Sequence, residues 1–226
     1  MRINKTVEGN LELFEYYLNG LLFYHKDIEI SEGRIHSTFW NKQNLYYFNK
    51  NHEENFNYKS IHAAFDYIGI GTLRRTSGLM KEADHFYKKY LDRLHKENII
   101  IDLRNNGGGS VNQIKPLWKA LRKNKRIKNI YVLINFKTAS SAELAVLKLK
   151  EDPRTIITGE NSRGMVEYGY GNKSFSTKTD CAEYQLVLST RHDHKALGKY
   201  EYVGIKPDIE LGNQANWVEQ IIGLSP

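Results

Sequence analysis

A single cysteine, Cys181, in 226 residues rules out an internal disulfide and leaves the redox compartment open. Long apolar runs are missing too. None approaches the length of a membrane span, and no signal-peptide core follows Met1. No membrane partner is therefore expected, and the chain as written reads as cytoplasmic; a truncated or mature form would read as exported. There is no Walker pattern, no internal repeat and no low-complexity tract. Metal ligands are scarce. His192 and His194 stand two residues apart and would share one face of a strand, but a third ligand at a sensible spacing is missing and Arg191 and Lys195 flank them. A polar turn is expected there, with no metal and no other cofactor.

What is present suits one globular core. Hydrophobic residues make up 40% and charged residues 26%, and the length allows a sizeable core with a small appendage. The formal charge is +7, much of it from Lys119, Arg122, Lys123, Lys125, Arg126 and Lys128 at the end of a helical pattern. Basic residues suit a helix C-terminus and a solvated face. No aromatic platform or reading motif accompanies the run, so no nucleic-acid partner is expected. An attraction for acidic polypeptides would also fit.

Residues 1–58 are rich in Tyr, Phe and Asn, with a helical pattern at 11–22 and strand-like runs at 27–30, 33–40 and 44–48; 49–58 reads as a polar loop. From residue 65 onward strand and helix alternate: strands at 67–73, 99–103, 130–134 and 155–158, helices at 82–95, 111–122 and 141–149. Such alternation predicts an α/β protein whose parallel sheet carries packed helices. A hairpin-like excursion at 164–176, strands at 184–190 and 209–211 and a helix at 216–224 complete the reading.

Two strand-to-helix junctions carry the chemistry. Thr138-Ala139-Ser140-Ser141-Ala142-Glu143 follows one apolar strand and opens a helix. A serine there is a common N-cap. It is also a strong place for a nucleophile, because free N–H groups and the helix dipole favour negative charge. The second junction is Asp102-Leu103-Arg104-Asn105-Asn106-Gly107-Gly108-Gly109. Glycines at such a turn bring backbone N–H groups close to a ligand and can aim them at an oxyanion.

Together these junctions resemble the tail-specific and C-terminal-processing serine peptidases, peptidase family S41. Gly159-Glu160-Asn161-Ser162-Arg163-Gly164, Gly204-Ile205-Lys206-Pro207-Asp208-Ile209 and Tyr67-Ile68-Gly69-Ile70-Gly71 match in the family's order, over about residues 60 to 212. The resemblance implies a ClpP/crotonase-like β-β-α superhelical core at 59–226. Residues 1–58 would form a small N-terminal α+β appendage, either a reduced PDZ-like module or a helix-and-strand region. It implies a serine-type peptidase acting on polypeptides, with Ser140 as nucleophile and the backbone N–H groups of Gly108 and Ser141 as oxyanion hole. Which member of the glycine triplet donates is open by one position.

The general base departs from the family pattern. Where many members carry a lysine, this chain has Met165, which takes no proton. The resemblance is therefore nearer the tricorn-like branch, which implies a histidine base and a glutamate. His36 has a fitting context, with His62 a poorer candidate, and Glu201 stands three residues before Gly204. Three hypotheses follow: a serine peptidase using Ser140, His36 and Glu201; a peptide-binding member that lost its base; and a crotonase-like acyl-CoA enzyme, against which the Ser140 context speaks.

Overall fold

The computed structural model describes residues 54–166, 174–178, 185–189, 195–201, 203–212 and 215–224. The patterns expected at 11–22, 27–30, 33–40 and 44–48, and with them His36, lie outside the described residues, as do His192 and His194. The described strands are β1 (Phe56–His62), β2 (Phe65–Ile70), β3 (Asn98–Asp102), β4 (Asn129–Ile134), β5 (Thr155–Gly159), β6 (Ser174–Lys178), β7 (Gln185–Ser189) and β8 (Ile209–Glu210). The α-helices are α1 (Ser77–Tyr90), α2 (Lys115–Lys123), α3 (Ser141–Lys150) and α4 (Trp217–Gly223).

The expected ClpP/crotonase-like superhelix does not form. Six strands make one open mixed sheet in the order β1-β2-β3-β4-β5-β8, with only β1 antiparallel to its neighbour, and β6 and β7 pair separately. A β-β-α superhelix needs two strands to turn before each helix. Here α2 and α3 each follow a single strand, so every unit extends the same sheet and none turns the chain into a new one.

The register shows how the core is arranged. Pairing of Ile68 with Ile101, Ile99 with Ile130 and Val132 with Ile157 places one row of each strand on the same face. Those rows pack with Phe86 and Tyr87 of α1, Leu117 and Leu121 of α2, and Ala145 and Leu149 of α3 in one buried cluster. All three helices therefore lie on one face, as sequential right-handed crossovers in one direction require. The other face holds buried Tyr67, Ile100, Tyr131 and Leu133. With both faces covered, the parallel strands read as continuous apolar runs.

This topology puts the C-terminal ends of β3 and β4 side by side, so the glycine loop and the serine loop emerge together. Open parallel sheets place their ligand sites at that edge. A buried ion pair anchors the glycine loop from below. The Arg104 guanidinium donates to both Asp102 carboxylate oxygens, through Nε at 3.0 Å and Nη2 at 2.6 Å, and Tyr67 donates its hydroxyl to Asp102 at 2.9 Å. Burial, and then the Asp102 charge, push the Tyr67 phenol above its ordinary pKa, so it stays a donor. The Trp217 ring of α4 lies 5.8 Å from the guanidinium.

Candidate active site

The two loops are laced together before any nucleophile is considered. Asn105 and Asn135 interlock: the Asn105 backbone N–H donates to Asn135 Oδ1, and Asn135 Nδ2 donates to Asn105 Oδ1, both at 2.9 Å. Thr138 donates its hydroxyl to the Leu103 carbonyl at 2.9 Å, and the Ala139 N–H donates to the Asn106 carbonyl at 3.0 Å. Asn106 is fully buried; its Nδ2 donates to Ile70 O at 2.8 Å and its Oδ1 accepts the Gly108 N–H at 2.9 Å.

Ser140 stands at the junction with φ 55° and ψ −125°. That region is costly for a residue with a side chain, about 1–3 kcal/mol, and such strain persists only where the surroundings impose it. Here the imposing group is Glu143. Its carboxylate is fully buried and accepts four donors: the Ser140 N–H at 2.9 Å, the Ser162 hydroxyl at 2.6 Å, the Gly164 N–H at 2.7 Å and the Met165 N–H at 2.9 Å. Burial holds the Glu143 pKa above its ordinary value, against the pull of these donors. One side chain thus sets the nucleophile candidate and the Gly164–Met165 loop in a single arrangement. Motif reading used Glu143 only as a spacing marker, because three of its four partners come from the stretch between 162 and 165.

The candidate oxyanion donors divide. Gly108 has φ 96°, and a Cβ there would lie 2.8 Å from the Ala139 carbonyl oxygen and 2.9 Å from Ser141 N, so this position admits only glycine. Its N–H, however, is turned onto Asn106 Oδ1. Gly109 pairs with Leu73 in a parallel bridge, in which Leu73 N–H donates to Gly108 O and Ser110 N–H to Leu73 O. The N–H and C=O of Gly109 itself therefore point to the opposite side. There its carbonyl accepts the Ser141 hydroxyl at 2.9 Å. Among the described residues, neither the Gly109 N–H nor the Ser141 N–H has a protein acceptor. Ser141 lies in the first turn of α3, where N–H groups have no intrahelical partner.

Glu201 is brought to the same neighbourhood. Its Oε2 accepts the Val166 N–H at 2.8 Å, one residue beyond Met165. Gly204 packs on the loop preceding Met165: a Cβ there would lie 2.1 Å from the Ser162 carbonyl oxygen, and the Ile205 N–H donates to the Ser162 hydroxyl at 2.7 Å. Lys137, three residues before Ser140, is half-buried, and desolvation lowers its pKa; the motif reading passed over it. His62 is turned elsewhere, accepting the Ala64 N–H at 3.2 Å beside Phe65. Among the described residues, no histidine, lysine or carboxylate shares a hydrogen bond with the Ser140 hydroxyl. No group of three or more metal-ligating side chains occurs among them, and no helix is long and apolar enough to cross a membrane.

No protein-family model matches this chain, and no curated protein does. Solved structures do. A candidate peptidase from Parabacteroides merdae aligns over 75% of this chain and 64% of its own, at 17% identity and a TM-score of 0.50. The photosystem II D1 C-terminal processing protease aligns over 71% of this chain and 49% of its own, at 18% identity and a TM-score of 0.49. The tricorn protease aligns over 71% and 17% at 17% identity and a TM-score of 0.49. The chain thus spans about half to two-thirds of the first two structures. At 17% identity the likeness to the Parabacteroides merdae structure is one of fold alone.

Proposed function

We propose that this chain is a serine-type peptidase that cleaves polypeptides with Ser140 as nucleophile. The observation that carries this reading is the strained Ser140 backbone at a helix N-terminus, pressed against a glycine loop. A serine serving only as an N-cap takes extended backbone angles and avoids that cost. In the proposed reaction, the Ser140 hydroxyl attacks the scissile carbonyl while His36, assigned on its sequence context, takes the proton, and Glu201 orients the base. The Ser141 N–H and a glycine-loop N–H stabilise the oxyanion. Gly109 suits that second role better than Gly108, whose N–H is occupied. The proton then passes to the leaving amine, and water releases the acyl group from Ser140.

A second reading is favoured by Met165 in place of the family lysine and by the Ser140 hydroxyl having no titratable partner among the described residues. In that reading the same cleft binds peptides without cutting them. Labelling with a fluorophosphonate probe separates the two, because the probe modifies only an activated serine. The expected result is a single adduct on Ser140 in the wild type and none in Ser140→Ala. In His36→Ala the rate should fall about a thousandfold or more. An unlabelled wild type that still captures peptides would support the binding scaffold.

A further inference from the structure

We propose that the groove between α1 and α2 is a binding site for acidic stretches of polypeptide. The groove encloses about 730 Å³. It lies at the edge of the sheet opposite Ser140. Both helices end there, where Asn124 Nδ2 donates to the Leu94 carbonyl just before β3. The intervening strands of five or six residues set it about 17–20 Å from the nucleophile's edge. The proposal stands whether or not Ser140 turns over.

Three features define the ligand. The first is charge. Lys119, Lys123 and Arg126 line the groove, are exposed, and have no ion-pair partner among the described residues. Of the two acids in the lining, Asp84 is taken up by Lys88 at 2.7 Å, which leaves Asp92 outweighed by three cations. Those cations are not needed to cap α2. Arg154 already donates to the carbonyls of Leu121, Asn124 and Ile127 at 2.7–2.8 Å, with its own charge balanced by Asp152 at 2.6 Å.

The second feature is Tyr87, which lines the groove, is 4% exposed, and has a buried hydroxyl with no hydrogen-bond partner. A buried donor without an acceptor is unfavourable, and a seated carboxylate would supply one. The third is the apolar lining of Leu91, Leu94, Pro116 and Ala120, which gives aliphatic side chains a place between the charges. Nucleic acid fits less well. The neighbouring aromatic faces are already covered, Trp118 by Lys148 at 4.2 Å and Arg122 at 4.9 Å, and Tyr90 by Lys89 at 5.1 Å and Arg93 at 5.5 Å. No open platform is left for base stacking.

The test is fluorescence anisotropy on the full chain at low salt, with a fluorescein-labelled peptide of alternating glutamate and leucine. The wild type should bind it and lose affinity as sodium chloride is added. Lys119→Glu/Lys123→Glu should bind at least about tenfold more weakly. Tyr87→Phe, which removes only an unpartnered hydroxyl and so keeps the fold, should weaken binding by about three- to tenfold. Fluorophosphonate labelling of Ser140 should be the same in these variants as in the wild type. Equal binding of a glutamine–leucine peptide, or wild-type affinity in both variants, would overturn the proposal. Tighter binding of single-stranded DNA of matched charge, lost in the same variants, would reassign the groove to nucleic acid.

Discussion

Replacing Glu143 by alanine is expected to cost the fold about 3–5 kcal/mol and to silence Ser140 together with it. The variant removes one acceptor group from four donors: the Ser140, Gly164 and Met165 N–H groups and the Ser162 hydroxyl. Each is left in a place where Glu143 itself is 0% exposed, so water replaces the carboxylate poorly. Against a typical total stability of about 5–15 kcal/mol, that loss shifts the urea midpoint sharply. Glu143→Gln separates structure from reactivity. The amide keeps one acceptor oxygen but turns an NH₂ toward N–H donors, so the variant should fold with reduced stability and fail to hold Ser140 at its strained angles. Urea unfolding and fluorophosphonate labelling of the folded protein read the two effects apart. Wild-type labelling in the glutamine variant would remove Glu143 from any role in setting the nucleophile.

Asp102→Ala is expected to be as damaging for a different reason. It strands the Arg104 guanidinium, 2% exposed, without its bidentate partner, and breaking a buried ion pair from one side costs about 3–5 kcal/mol. The Tyr67 hydroxyl loses its acceptor in the same step. Because the pair sits directly before the glycine loop, the damage should reach that loop as well as global stability. The double variant Asp102→Leu/Arg104→Met should recover much of the loss, since two apolar side chains replace two buried charges at once. Urea denaturation of the single and double variants completes the cycle. A double variant no more stable than Asp102→Ala would show that packing around Trp217, and not charge, is what the pair provides.

The alternation of strands and helices between Phe65 and Gly159 could be read directly, because runs such as 99–103 and 130–134 are buried on both faces and leave no polar interruption. Edges were harder. The helix expected at 82–95 runs over Ser77–Tyr90, since Thr76 caps it by accepting the Leu79 N–H, and a 3-10 turn at Leu91–Arg93 ends it. The polar stretch expected as a loop at 49–58 contains the start of β1, an edge strand with one well-buried residue, Phe56. No local pattern in the chain distinguishes a superhelix from an open sheet, because periodicity describes each element and not the angle between successive units. The expected core architecture failed at that point.

At the site, the two loops paired by motif do meet, and the tight Gly108 contact with Ser140 and Ser141 is what a glycine at that position permits. The capture of the Gly108 N–H by Asn106 could not be read from spacing, because it depends on how the asparagine is held by the Ile70 carbonyl in another strand. The same holds for the Glu143 hub, three of whose four partners lie in a loop some twenty residues downstream. Contacts that cross between loops are set by the sheet, and the sheet is what the linear pattern describes least.

The most direct test of the central claim is digestion of an unstructured protein by the wild type and by Ser140→Ala, side by side, with new termini read by mass spectrometry. New termini are expected with the wild type and should vanish with the alanine variant, while both bind the substrate. New termini released equally by both would contradict Ser140 as the nucleophile; none from either, with binding intact, would leave the chain a peptide-binding scaffold.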